Sequence, residues 1–182
     1  FRTLTNLKFP LEKVVFGVNN ELVEAKFKGM FVTAVFGKLN IKTGELVFIN
    51  AGHESILTFD KDKNYDYIKS DMPPIGIIKY FTESMVKSKT INLKEKTFVV
   101  YTDGVTEGYL KNGQELGADG VQKIVTNLDI VTPKNLVDSI AKELDWGAEK
   151  LRDDITCLAI NIKNTELVKP ERKKKVEGEK KA

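Results

Sequence analysis

Apolar side chains recur at helical spacing near the start of the chain and at strand spacing after it. Leu11, Val14, Val15, Val18, Leu22 and Val23 fall on one face of a helix, which the pattern predicts over 10–27. Pro10 suits its first turn, where a missing N–H costs nothing. Gly17 weakens its middle by about 1 kcal/mol relative to Ala, and Gly29 is the expected stop. The run 30–39 is apolar and β-branched and reads as a strand. Lys42-Thr43-Gly44 turns it into a second strand over 45–50, a hairpin by composition and spacing. Ala51-Gly52-His53 interrupts that strand, which resumes at 56–59. A polar turn at 61–64 leads to a short strand at 65–68, and the Pro- and Gly-punctuated stretch 72–77 reads as a loop.

The second half repeats the vocabulary with more helix. A rough alternation predicts a strand over 84–93. Lys94-Glu95-Lys96 turns it into a largely apolar strand at 97–102, which Asp103-Gly104 ends abruptly. Asn112-Gly113 marks another turn. Helices are expected over 120–128 and 134–144, the latter with Thr132 as N-cap and Pro133 at its first position. A last strand is expected over 155–162. Segregated strands and adjacent hairpins, without internal repeats, point to an α+β fold with a mainly antiparallel sheet rather than alternating βαβ units.

Composition narrows the function. A chain of 182 residues, 41% hydrophobic and 30% charged, is about one domain and can bury a core. A single cysteine, Cys157, excludes a disulfide scaffold and a paired-thiolate zinc site. A single histidine, His53, excludes a multi-histidine metal site. No apolar run reaches the length of a membrane span and no secretory signal opens the chain, so a cytoplasmic location is the default. Residues 165–182 carry seven Lys/Arg and four Asp/Glu, a surplus that accounts for the whole net charge of +3. The remainder is neutral, which argues against a nucleic-acid-binding domain. The Lys- and Glu-rich stretch itself reads as a solvated, disordered tail.

The informative chemistry lies in aspartates at strand ends. Asp103 follows one predicted strand, and Asp153 and Asp154 precede another. If the strands are antiparallel neighbours, these carboxylates meet at one edge of the sheet. Converging carboxylates call for a cation, and oxygen-only donors select hard ions such as Mg²⁺ or Mn²⁺. Gly104 would let the backbone turn tightly beside an ion. A plain turn at Asp103-Gly104 and a solvated strand cap at Asp153-Asp154 would give the same spacing.

The residues around these aspartates add a resemblance. Phe98-Val99-Val100-Tyr101-Thr102-Asp103-Gly104-Val105-Thr106-Glu107 resembles the signature strand and loop of the PPM-type, metal-dependent serine/threonine phosphatases, in their bacterial SpoIIE/RsbU-like branch. Met30-Phe31-Val32-Thr33-Ala34 is similar to that branch's Met-Phe-x-Thr strand. Residues 39–46 resemble its hairpin, with Asn40 where the family has Asp. Asn50-Ala51-Gly52-His53, Pro74-Ile75-Gly76-Ile77, Asn112-Gly113-Gln114-Glu115-Leu116-Gly117 and Asp153-Asp154-Ile155-Thr156 match further motifs in the same order.

The resemblance implies a β-sandwich of two antiparallel sheets with flanking helices. It implies Asp103 and Asp153 as catalytic, metal-ligating residues, Asp154 as a neighbouring metal-site residue, and two Mn²⁺ or Mg²⁺ ions in a complete domain. The implied reaction is hydrolysis of phosphoserine or phosphothreonine on a protein by metal-activated water. The implied partner is a phosphorylated protein such as an anti-sigma-factor antagonist, with a sensor or membrane-anchored module upstream in the full-length protein. The family's Gly-Asp-x-x-Gly-x-Gly segment, whose aspartate bridges the metals, has no counterpart here. Residues 1–164 are therefore expected to be a C-terminal part of a phosphatase domain without its N-terminal strands, followed by the tail at 165–182. The expected rival is a non-catalytic phosphoprotein-binding module on the same fold.

Other residues carry two readings each. His53 could act as a base or pack in its bend, and Thr33 could touch phosphate or simply suit a strand. Glu107 could join the metal's surroundings or be solvated. Arg152 could hold phosphate or pair on the surface, and Trp146 could cover the site or pack at an edge. Cys157 reads as an inert core thiol, and the basic run at 172–175 as solubilising rather than as a lipid or RNA contact.

Overall fold

The computed structural model describes residues 8–25, 29–79, 81–146 and 153–163. Two antiparallel sheets face one another. One contains β1 (Ala34–Leu39), β2 (Glu45–Ala51) and β5 (Lys89–Asn92) in the order β1-β2-β5. The other contains β3 (Ile56–Asp60), β4 (Tyr65–Ile68), β6 (Lys96–Tyr101) and β7 (Cys157–Ile160) in the order β4-β3-β6-β7. Helix α1 (Leu11–Glu24) covers the first sheet. The short α2 (Asp103–Thr106), α3 (Gly117–Asn127) and α4 (Pro133–Glu143) cover the second.

Period-two alternation explains the layers, because successive side chains of a strand face opposite ways. On β2, Leu46 and Phe48 point between the sheets, while Ile49 and Ala51 belong to the cluster under α1. On β6, Phe98 joins Phe48, Ile56 and Leu93 between the sheets, whereas Val99 and Tyr101 face the helices. Each central strand is covered on both faces, which is why these strands read as continuous apolar runs. Phe48 and Phe98 meet edge to face with centroids 4.9 Å apart, a contact worth about 0.5–1.5 kcal/mol beyond its area.

Most expected elements form, with informative shifts. The helix ends at Glu24, and Phe27 lies outside the described residues. Pro10 stands one position before the helix, its carbonyl accepting the Val14 N–H at 3.1 Å. The strand expected over 30–39 starts only at Ala34, because Val32 leaves β2 to exchange two backbone hydrogen bonds with Ile75, each 2.9 Å. The strand expected over 84–93 shortens to β5. Its first residues form a 3-10 turn, Glu83–Met85, and Ser88 donates to Glu12 of α1 instead of extending the ladder.

The larger departure concerns 56–59. It does not resume β2 but belongs to the opposite sheet, so the chain crosses the sandwich at 52–55. Gly52 makes that crossing with φ +66°, and a Cβ there would lie 2.4 Å from Pro74. Among the described residues no helix is long and apolar enough to cross a membrane.

Candidate functional site

The register brings the aspartates together. β6 and β7 pair Tyr101 with Cys157, so the chain leaves β6 toward Asp103 beside the stretch by which it enters β7 from Asp153. The Thr102 N–H donates to the Thr156 carbonyl at 3.0 Å, continuing the ladder by one step. The Thr102 hydroxyl accepts the Thr156 N–H at 3.0 Å and donates to the Asp154 carbonyl at 2.9 Å. A Cβ on Gly104 would lie 2.5 Å from the Asp154 carbonyl oxygen and 3.2 Å from that of Asp153. The two loops are therefore in backbone contact, with no room for any side chain at 104.

Asp103 does not sit in a simple turn. It opens α2, its carbonyl accepting the Glu107 N–H at 2.8 Å and the Thr106 hydroxyl at 3.0 Å. Asp103 Oδ1 accepts its neighbour Gly104's N–H at 2.9 Å, and Asp153 Oδ1 accepts that of Asp154 at 2.7 Å. Asp103, Asp153 and Asp154 are all exposed, and among the described residues no lysine or arginine pairs with them. The donor type suits a hard divalent cation. The donor number falls short, because no group of three or more His, Cys, Asp or Glu side chains among the described residues could hold an ion.

The remaining candidates separate. Thr33 Oγ1 lies 3.2 Å from His53 Nδ1, in loops at the same end of the sandwich as Asp103. Glu54 lies close enough to Tyr101 to act on its phenol. Burial pushes that phenol far above its usual range, and Tyr67 and Glu54 push it the same way. Glu107 is exposed beside α2. Trp146 is 55% exposed and donates its indole N–H to the Ala141 carbonyl at 2.7 Å, so it closes α4 rather than the site. Cys157 is half-buried, and burial pushes its thiol up to about 11. Arg152 and the basic run at 172–175 lie outside the described residues.

Two contributors escaped the sequence reading. Thr102 ties the aspartate loops together. Ser70 accepts the Gly52 N–H at 2.8 Å and sets its hydroxyl against the carbonyls of Asn50 and Met72. A threonine directly between an apolar strand and an aspartate was a usable signal for the first. Nothing local marks the second, whose Asn50 and Gly52 partners lie about twenty residues earlier in the chain.

A family model described as stage II sporulation protein E (SpoIIE) matches residues 1–163. The chain belongs to the SpoIIE family. The sandwich of this SpoIIE-family chain is similar to the phosphatase domain of the cell-fate determinant SpoIIE from Bacillus subtilis, in a manganese-presoaked structure. The TM-score is 0.61 at 16% identity, over 91% of this chain and 74% of that one. The RsbU and RsbW domains of Rv1364c from Mycobacterium tuberculosis match with TM-score 0.59 at 20% identity, over 89% of this chain and 44% of that one. Protein IcfG of Synechocystis sp. (strain ATCC 27184 / PCC 6803 / Kazusa) is 30% identical over 134 residues, 72% of this chain and 20% of that protein. The chain thus spans about a fifth of the curated relative it matches. The antiparallel sandwich with flanking helices is the PPM-type phosphatase fold.

Proposed function

We propose that this SpoIIE-family chain works in a divalent-metal-dependent phosphatase that removes phosphate from serine or threonine of a protein substrate, and that Asp103 and Asp153 are its share of the metal ligands. The contact of Asp103-Gly104 with the Asp153-Asp154 backbone carries this reading, since it joins acidic residues 50 positions apart at one strand edge. The manganese presoak of the Bacillus subtilis neighbour supports the choice of Mn²⁺ or Mg²⁺. When bound, such ions supply an acidified water and neutralise charge on the phosphoryl oxygens.

The chain's own residues do the holding. Thr102 fixes the spacing of the two loops, Gly104 permits their approach, and Asp154 orients Asp153 through its N–H. Further oxygen donors come from outside the described residues, and residues 1–164 act as the C-terminal part of the domain. The substrate is a phosphorylated regulator of the anti-sigma-antagonist kind in a bacterial switch, read through an upstream sensor in the full-length protein. The active end works in the cytoplasm.

The shortage of grouped ligands among the described residues also favours a second reading, a module that binds a phosphoprotein without hydrolysing it. The deciding experiment is Mn²⁺-dependent hydrolysis of a phosphoseryl peptide by the full-length protein, wild type against Asp103→Asn. A loss of about 10²-fold or more is expected. Unchanged turnover in the variant removes Asp103 from the site. Peptide binding without turnover by the wild type selects the second reading.

A further inference from the structure

Two loops that the metal ligands leave unused meet at the same end of the sandwich. Thr33 precedes β1 and His53 follows β2, and their side chains touch through Oγ1 and Nδ1 at 3.2 Å. The bend carrying His53 is fixed from several sides. The His53 N–H donates to Asn50 Oδ1 at 2.9 Å, and the Asn50 amide donates to the Glu54 carbonyl at 2.9 Å. Ser70 takes the Gly52 N–H, and Pro74 closes against Gly52. A bend so constrained sets the direction of the His53 side chain.

The register says where that side chain lies. β3 and β6 are antiparallel and pair Leu57 with Val99, so the chain enters β3 from His53 at the end of the sheet where β6 leaves toward Asp103. The pairing of Ala34 with Ala51 likewise sets Thr33 level with Gly52. The imidazole is half-buried, and among the described residues no hydrogen bond but that to Thr33 engages it. A Thr33 hydroxyl that donates to Nδ1 leaves the ring's N–H on Nε2, on the far side of the ring. Asp103, Asp153 and Asp154 accept hydrogen bonds as carboxylates and donate none. A phosphate held at this end needs donors from elsewhere.

We propose that His53 is a substrate-contacting residue whose Nε2–H donates to a phosphoryl oxygen of the monoester, and that Thr33 is the positioning residue that fixes its tautomer and orientation. The inference rests on the reading that the Asp103–Asp153 end handles phosphate. It gives the Met-Phe-x-Thr and Asn-Ala-Gly-His stretches one shared task.

The test uses the full-length protein with Mn²⁺ on a phosphoseryl peptide and on p-nitrophenyl phosphate. His53→Ala is expected to lower kcat/KM about 10- to 100-fold on both, mainly through KM, and His53→Gln to recover part of it. Thr33→Val should lose several-fold and Thr33→Ser restore it. A urea midpoint for each variant reports folding. In the full-length protein, the imidazole proton resonance that His53→Gln removes is that of His53. Titration with inorganic phosphate in Mg²⁺ should move it saturably, and Thr33→Val should shift the midpoint to higher phosphate.

Wild-type kcat/KM in a folded His53→Ala protein, or a resonance indifferent to phosphate, overturns the inference. If His53→Ala does not fold, the titration decides alone. Full turnover in Asp103→Asn counts against the metal ligand. Loss there with an unaffected His53→Ala removes only the His53 contact.

Discussion

At the scale of single residues, the site depends on two glycines for different reasons. Gly104 has an ordinary backbone but no free space, with carbonyl oxygens of the opposing loop where a methyl would go. Gly104→Ala should cost about 1–3 kcal/mol, the usual range for overpacking, and should weaken Mn²⁺ binding by forcing the aspartate loops apart. Urea unfolding and metal titration check the two halves separately. Gly52 is constrained twice, by φ +66° and by Pro74 at 2.4 Å. Gly52→Ala should cost roughly 2–4 kcal/mol and disorder the His53 bend. The aspartates were legible because acidic residues stood at both ends of apolar runs. Ser70 was not, since it acts through an Asn50 carbonyl brought near from another strand, and such proximity is invisible in a local window. Asn40 was legible as a departure from the family's aspartate, yet its Oδ1 still accepts the Lys42 and Thr43 N–H groups at 3.1 and 3.3 Å. An amide oxygen serves that turn as well as a carboxylate.

At the scale of elements, sequence signals worked best where chemistry is local. Thr132 caps α4 as its position suggested, its Oγ1 accepting the Asn135 N–H at 3.1 Å. Thr132→Ala should therefore cost about 1 kcal/mol, readable as a lowered thermal midpoint. Strand limits were read less well, because the Val32–Ile75 bridge and the Ser88–Glu12 hydrogen bond compete with continued pairing over long sequence separations. On β7, Cys157 provides a titration test. Its folded-state thiol lies up near 11, above the ordinary 9.0, because burial disfavours the thiolate. The folded state thus binds this proton more tightly than the unfolded chain does. Its contribution to stability is full below about pH 9 and is lost as pH rises through about 11. Alkylation of Cys157 by iodoacetamide in native protein should accelerate near pH 11, whereas in urea it should do so near pH 9. Matching native and urea profiles would show the thiol to be open to solvent.

At the scale of the whole molecule, the α+β class and antiparallel character were legible, but the assignment of strands to sheets was not. The strand over 56–59 looks like a continuation of β2 because both are apolar, and only the turn at Gly52 sends it to the other sheet. Phe48 lies between the sheets against Phe98 and is 1% exposed. Phe48→Ala should cost about 3–5 kcal/mol in a single cooperative denaturant transition, because both sheets share that packing. Removing residues 165–182 should leave phosphopeptide turnover unchanged, and a large loss would assign the basic tail a part in the reaction. The far end of the sandwich has its own crossing. Residues 93–95 join β5 to β6, and Leu93 donates its N–H to the Gly44 carbonyl and accepts the Ile162 N–H, both at 2.8 Å. The sheets are thus laced at both ends, at 52–55 and 69–88 on one and at 93–95 on the other, so neither can slide along the other like a drawer. Gaps between loops rooted in different sheets then keep their width when a charged guest arrives, and selectivity by size is set at folding rather than at capture.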